Sequence, residues 1–345
     1  MKKILVTLLV LSCLLLASCA QPPEPAPPTE PPPPPTEAPT EPPPPTATPL
    51  PPTETPVPTE TPIPTETSIP SLTPYVGASR IVFASNRGDD PGKLDLYLMD
   101  VETLEITPVN TGFDTALFPQ WSPDGNMILF TLPDIWNLYT IYPDGTNLTQ
   151  ITDFRSANAD WSPDGAQIVF QSDHQNEPQD TPDIYIIDIT GENLVEILDD
   201  PDIPDYNARW SPDGSKILFV TRRTGKDELF TMNIDGTDPV QVSDSADPVV
   251  QGAWSPDGTR IALAYGGFGI TDLYAMDSDG VSNVARLTNN ESTNNSASWS
   301  PDGERIVFAS NVSGNWDLWV INADGTNLVQ LTNDEFYDSF PDWSP

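Results

Sequence analysis

Thiols and imidazoles are almost missing from this chain of 345 residues, which has two cysteines and one histidine. Cys13 lies inside the apolar run at the N-terminus and Cys19 just after it, so the remainder can hold neither a disulfide nor a thiolate metal site. A single histidine, His174, excludes a metal centre built on several imidazoles, and a Ser-His-Asp triad would depend on it alone. The Gly-x-Ser-x-Gly turn of a serine hydrolase is absent too. His174 is expected to be a solvated loop residue. Cations are scarce: 14 Lys and Arg stand against 51 Asp and Glu, a net charge of −37. That balance argues against nucleic acid and anionic lipid surfaces and favours cationic proteins or divalent cations. No segment has helical periodicity. The one long apolar run, residues 4–16, is shorter than the roughly 20 residues a spanning helix needs.

That run has the length of a signal-peptide core, preceded by Lys2 and Lys3 and followed by Leu16-Ala17-Ser18-Cys19. The ending resembles a bacterial lipobox, which implies cleavage before Cys19 and acylation of its sulfur; the alternative is an ordinary secretory signal with an incidental cysteine. Residues 20–74 contain 24 of the 42 prolines, seven Glu, and no Gly, aromatic residue, Lys or Arg. Such a stretch cannot bury a core, and proline holds φ near the polyproline II value. Fully extended at ~3.1 Å per residue it would reach about 170 Å. It is expected to be a spacer, with a Pro-rich partner ligand or a Thr-glycosylated stalk as alternatives. The expected domains are therefore 1–18, a lipoprotein signal peptide; 19–74, the lipidated cysteine and tether; and 75–345, the folded part.

The folded part is organised by Trp-Ser-Pro-Asp-Gly, which begins at Trp121, Trp161, Trp210, Trp254 and Trp299 and returns truncated at Trp343. The spacings, 40 to 49 residues, fit four-stranded propeller blades. Pro suits position i+1 of a type I turn and Gly can take φ > 0, so each copy predicts a hairpin with the Trp at its base. A second strand such as residues 128–131 follows, then a variable loop. A third strand opens on an acidic residue, as in Asp134-Ile135-Trp136 or Asp183-Ile184-Tyr185. An Asp-Gly turn and a short outer strand complete the unit. Five copies are complete. Residues 80–108 read as strands two to four of a blade, and residues 340–344 as a first strand without a blade. The expectation is all-β: a six-bladed β-propeller closed by a composite blade that pairs the C-terminal strand with the N-terminal blade.

On these motifs residues 79–345 resemble the TolB-type six-bladed β-propeller of WD40-like repeats. True WD40 repeats end in Trp-Asp and usually form seven blades, so they fit less well. TolB itself has an α/β domain before its propeller, where this chain has the Pro-rich stretch, so a Tol–Pal role is not carried over. Similar propellers gate prolyl-oligopeptidase-type peptidases, but a hydrolase domain has no counterpart up to Pro345.

Many acidic residues sit in turns and at strand starts, where they serve backbone geometry. Asp277-Ser278-Asp279-Gly280 is read as a β-turn and not a calcium loop, because the glutamate of the twelfth position is missing. The acids opening the third strands could converge on a cation, but hydrogen bonds to the adjacent loop are expected instead. Loops after the second and fourth strands share one face of a propeller. They collect Arg87, Phe154, Arg155, Tyr206, Arg222, Arg223, Phe336 and Tyr337, residue types typical of interface anchors. Scattered loop variation is the plainer explanation. The expected function is a lipid-anchored, extracytoplasmic, monomeric and non-enzymatic module that binds an envelope or extracellular protein or peptide, without cofactor, metal or nucleic acid. The alternative is a sensor or enzyme that handles a small molecule, glycan or divalent cation in the channel.

Overall fold

The computed structural model describes residues 79–345 except 89, 175–180, 201, 268 and 281. The expected signal, Cys19 and tether lie outside the described residues.

Every Trp-Ser-Pro-Asp-Gly copy closes in the same way. The Gly N–H donates to the Ser carbonyl, and the Gly adopts φ between 67° and 73°, a region an L side chain rarely enters. The serine hydroxyl donates to the aspartate at 2.5–2.7 Å and accepts the N–H five residues on at 2.8–2.9 Å. Ser and Asp are therefore as necessary to the turn as Pro and Gly. The serine hydrogen bond, chiefly, draws Asp124, Asp164 and Asp257 below the usual carboxylate range and Asp213 down to about 2. Ser211 is buried and fills both roles. Ser211→Ala should cost about 1–2 kcal/mol, measured by urea unfolding.

The hairpins build six sheets of four antiparallel strands arranged in a ring. Blade one is Leu117–Trp121, Ile128–Leu132, Asn137–Ile141 and Thr149–Gln150. Blade two is Ala157–Trp161, Gln167–Ser172, Asp183–Asp188 and Val195–Leu198, and blade three is Asp205–Trp210, Lys216–Thr221, Glu228–Asn233 and Val240–Gln241. Blade four is Val249–Trp254, Arg260–Tyr265, Asp272–Asp277 and Ala285–Arg286, and blade five is Asn294–Trp299, Arg305–Ser310, Asp317–Asn322 and Val329–Gln330. Blade six joins Asp338–Trp343 to Arg80–Ser85, Asp95–Asp100 and Ile106–Pro108, with Ile81 opposite Trp343 and Ser85 opposite Asp338. The composite blade is thus as expected. Neighbouring blades meet through their innermost strands, those that end in Trp.

One sequence expectation fails. Residues 133–136 form a turn, with Trp136 at φ 55° and its N–H bonded to the Leu132 carbonyl at 2.7 Å. The third strand of blade one starts at Asn137, and Ile135 is exposed. A short loop and an acid followed by Ile-Trp imitate the strand starts of the other blades. The alternation of Leu138 and Tyr139 sets the true register, since Tyr139 lies opposite Phe130.

The core lies between blades. Each motif Trp packs on the preceding blade: Trp343, for instance, shares a cluster with Val307, Leu318 and Val320 of blade five. Phe83, Phe130, Phe170, Phe219 and Phe308 hold the same place in the middle of the second strand and are fully buried. Blade four has Leu263 there, and its aromatic pair, Tyr265 on Tyr274 at 4.0 Å, is displaced along the strand. Three arginines cross between blades: Arg80, Arg260 and Arg305 lie 5.1–5.3 Å from the rings of Trp121, Trp299 and Trp343. Gly252 occurs on an innermost strand where a Cβ would come within 2.9 Å of Leu229, so packing explains it.

Candidate functional site

The turns on one face of the ring repeat almost unchanged, whereas the loops after the second and fourth strands differ from blade to blade. Seven of the eight residues singled out from sequence lie on loops of this variable face; Tyr206, expected on a loop, instead lies in the innermost strand of blade three, opposite Val220, and the eight form three groups. At the seam of blade six, the Arg87 Nη2 donates to both oxygens of Asp338 at 2.7 and 2.9 Å, and its Nη1 is 3.3 Å from Asp334. Its guanidinium sits 5.4–5.6 Å from the rings of Phe83, Tyr97 and Phe336. Tyr337 packs on Trp316, and burial pushes its phenol up to about 12. In blade three the pattern recurs. Arg223 donates to Asp205 at 3.2 Å and lies 5.3 Å from Phe219 and Phe230. Beside it Arg222 grips Asp227 through two parallel bonds of 2.7 and 3.0 Å, with Tyr206 against the pair. The third group joins Arg155, paired with Asp173 at 2.5 Å and 5.8 Å from the Trp136 ring, to Phe154, which stacks on His174 at 4.2 Å. His174 is exposed, as expected, but its ring is held by that stack.

All four arginines are therefore engaged within the domain. Asp338 and Asp205 are fully buried and each accepts one guanidinium nitrogen, Nη2, on both of its oxygens, so Arg87 and Arg223 act first as clamps on the loops they join. Burial still raises Asp205 to about 6 despite Arg223. Arg155 is half exposed and keeps its pairing with Asp173 at the surface.

The acids that open the third strands do bond to the adjacent loop. Asp95 accepts from the Thr111 hydroxyl at 3.0 Å, Asp272 from Thr288 at 2.9 Å, Asp317 from Thr332 at 3.3 Å, and Glu228 from Ser243. Burial raises Asp95 and Asp317 above the usual range. In blade two the hydroxyl partner is replaced by Leu198. There carboxylate oxygens of Asp183, Glu196 and Asp199 lie within 4.8 Å of one another, and Glu196 accepts from the Tyr185 hydroxyl at 2.6 Å. The Asp277–Gly280 segment is the expected turn, with the Gly280 N–H donating to the Asp277 carbonyl at 3.0 Å.

A set of residues that sequence reasoning missed lies at the axis. The residue before each motif Trp is Gln120, Asp160, Arg209, Ala253, Ser298 or Asp342. The Asp342 carboxylate accepts the Trp121 N–H of blade one at 2.7 Å and the Ser298 hydroxyl of blade five at 2.8 Å. Asp160 accepts the Trp210 N–H of blade three at 2.8 Å, and Arg209 donates to the Ala208 carbonyl at 2.8 Å. Asp160, Arg209 and Asp342 hold equivalent positions on the innermost strands of blades two, three and six, and Arg209 also donates to the Asn158 carbonyl of blade two at 3.3 Å. Both carboxylates keep some contact with the channel but are otherwise desolvated. Burial, opposed by Arg209, raises Asp160, and burial raises Asp342 to about 6. The available signal was a polar residue beside Trp in five of six copies, opposite in phase to the small residues Pro119, Ala159, Ala208, Gly252, Ala297 and Pro341.

The model of the TolB β-propeller domain matches residues 178–345. Over those residues the chain is similar to the TolB β-propeller domain, and its described blades form a six-bladed propeller. Among solved structures it is similar to TolB from Acinetobacter baumannii, with 21% identity and a TM-score of 0.65 over 77% of this chain and 67% of that one. A protein described as a TolB from Agrobacterium tumefaciens matches at 20% identity and a TM-score of 0.58, over 78% of this chain and 99% of the other. Hydrazine synthase of Kuenenia stuttgartiensis matches at 16% identity and a TM-score of 0.64, over 78% of this chain and 47% of that one. At these identities the likenesses show the fold alone.

Proposed function

We propose that this TolB-type propeller is a protein- or peptide-binding module of the bacterial cell envelope, without catalytic activity, and that its variable loop face is the docking surface. The observation that carries the reading is the contrast between faces. One rim repeats the same turns, whereas the other differs in every blade and is stiffened by arginine–aspartate clamps. A rigid scaffold with one variable rim suits recognition, because little loop entropy is lost on binding. The excess of acid on the domain favours a partner with a basic docking surface. Acylation at Cys19 and display on the Pro-rich stretch would hold the module at a membrane.

The full-length protein, immobilised and exposed to solubilised envelope extract, is expected to retain a partner that elutes with salt. Charge reversal at half-exposed Arg155 should change that retention without changing the fold; retention unaffected by loop-face changes would refute the docking surface. Cys19→Ala should abolish incorporation of labelled palmitate, and persistent labelling would remove the anchor from the proposal. The same preparation should not hydrolyse peptides or esters; turnover that vanishes in His174→Ala would overturn the non-enzymatic reading. A second reading, a divalent-cation sensor, draws on the carboxylates of Asp183, Glu196 and Asp199. Calcium titration by calorimetry separates the two.

A further inference from the structure

We propose that the turn face carries a small-molecule site of its own, a cleft between blade six and blade one that takes an amino-acid-like zwitterion with an apolar side chain.

The cleft has a volume of about 700 Å³, which is within the range of small-ligand sites. Leu98 of blade six and Met127, Tyr142 and Pro143 from the turns of blade one give it apolar walls. Tyr142 is 40% exposed, so its ring is available for contact. The charged groups that line it are Arg80 from blade six and Asp124 and Asp144 from blade one.

Arg80 opens the second strand of blade six, and the same position in blades two to five holds Gln167, Lys216, Arg260 and Arg305. Each of those four is engaged within the domain. Gln167 donates to Asp188 at 3.0 Å, Lys216 to Asn233 at 2.6 Å and Arg260 to the Ala323 carbonyl of blade five at 3.0 Å, while Arg305 lies 3.9 Å from Asp302. The Arg80 guanidinium donates no hydrogen bond among the described residues. Asp100, opposite it in the sheet, attracts it but accepts instead from Glu102 and Thr103. The Arg80 backbone is fixed by two bonds to Ser344, at 2.9 and 2.8 Å, and its guanidinium lies 5.1 Å from the centre of the Trp121 ring. A cation–π contact positions the charge without consuming N–H donors, so the fork stays available to a carboxylate.

Blade one supplies the opposite charge. Asp144 accepts both bonds of its turn, from the Thr146 N–H at 2.9 Å and the Thr146 hydroxyl at 2.6 Å, on a single oxygen. Its other oxygen accepts none among the described residues. The Thr146 bonds hold its carboxyl below the usual range, so it is ionised at neutral pH. Asp124 is occupied on both oxygens, by Ser122 and Asn126. A plain anion on Arg80 would meet these two carboxylates, and a plain cation would meet Arg80. A ligand with both a carboxylate and an ammonium satisfies each charge and lays its side chain against Tyr142 and Leu98. The cleft lies on the rim opposite the variable loops, so it is independent of docking there.

The test is isothermal calorimetry on the full-length protein with L-phenylalanine as the probe. Two analogues accompany it: phenylpropanoate, which lacks the ammonium, and phenethylamine, which lacks the carboxylate. L-phenylalanine is expected to bind saturably at one site, and each analogue at least about tenfold more weakly. Arg80→Gln should weaken L-phenylalanine by about tenfold or more, with Asp144→Asn acting in the same direction. No saturable binding by the wild type would overturn the proposal, as would unchanged affinity in Arg80→Gln. Equal affinity for L-phenylalanine and phenylpropanoate would overturn the zwitterionic ligand. Should Arg80→Gln melt below the wild type, Tyr142→Ala decides instead. It alters an exposed ring and should weaken binding at an unchanged melting temperature; wild-type affinity in that variant would refute the site.

Discussion

Deletion of residues 340–345 is expected to leave a protein that melts far below the intact one or aggregates on purification. The deletion removes Trp343, which is 5% exposed and packs among Val307, Leu318 and Val320 of blade five. Losing a buried aromatic of that size costs ~3–5 kcal/mol. The pairing of Ile81 with Trp343 and of Val82 with Asp342 is lost with it, as are the reciprocal bonds of Ser344 with the Arg80 N–H and carbonyl. Typical domains hold only ~5–15 kcal/mol in total. The strand Arg80–Ser85 would also be left with an open edge, a template for intermolecular pairing. Melting followed by circular dichroism checks this, with Leu328→Ser on an exposed outer position as the control that should barely move. If the truncated chain melts like the intact one, the composite blade does not stabilise the ring.

Replacing Arg87 with Ala should be nearly as damaging, although the residue lies on a loop. Its partner Asp338 has no exposed surface, and the arginine side chain is itself only 12% exposed. Removing the cation leaves a buried carboxylate with no countercharge, a change worth ~3–5 kcal/mol. Asp338→Asn in the same chain should restore part of the loss, because the charge needing a partner is gone. Arg222→Ala is the contrast. Arg222 is 32% exposed and Asp227 reaches solvent, so about 1 kcal/mol is expected. Urea unfolding of the three variants measures the difference. Wild-type stability in Arg87→Ala, combined with loss of partner binding, would make Arg87 a docking residue and not a clamp.

The two residues also show how far sequence could be read. Arg87 and Arg222 look alike as arginines on variable loops, and both were reasonable interface anchors. What separates them is the burial of their partners, Asp338 lying 251 residues away and Asp227 only five. Local pattern carries the second pairing and not the first. The channel residues escaped for a related reason. Asp160, Arg209 and Asp342 each look like an ordinary polar position on a half-exposed strand, and their bonds to neighbouring blades depend on ring closure. Asp134 failed in the other direction: its neighbourhood copies the local pattern of a strand start, and only pairing with Ile128–Leu132 shows that the strand begins at Asn137.

Sequence by itself determined the turn chemistry, the blade repeat, the six-blade count and the composite closure. Those features follow from short-range rules: Gly at positive φ, Ser and Asp bonded within five residues, and apolar alternation at a fixed period. Tertiary structure decided which charges are clamped, which acids are desolvated and which side chains bond across blades. Coulomb interactions and desolvation depend on distances between blades far apart in the chain, and a repeat pattern states only that such blades exist, not which of their side chains face each other.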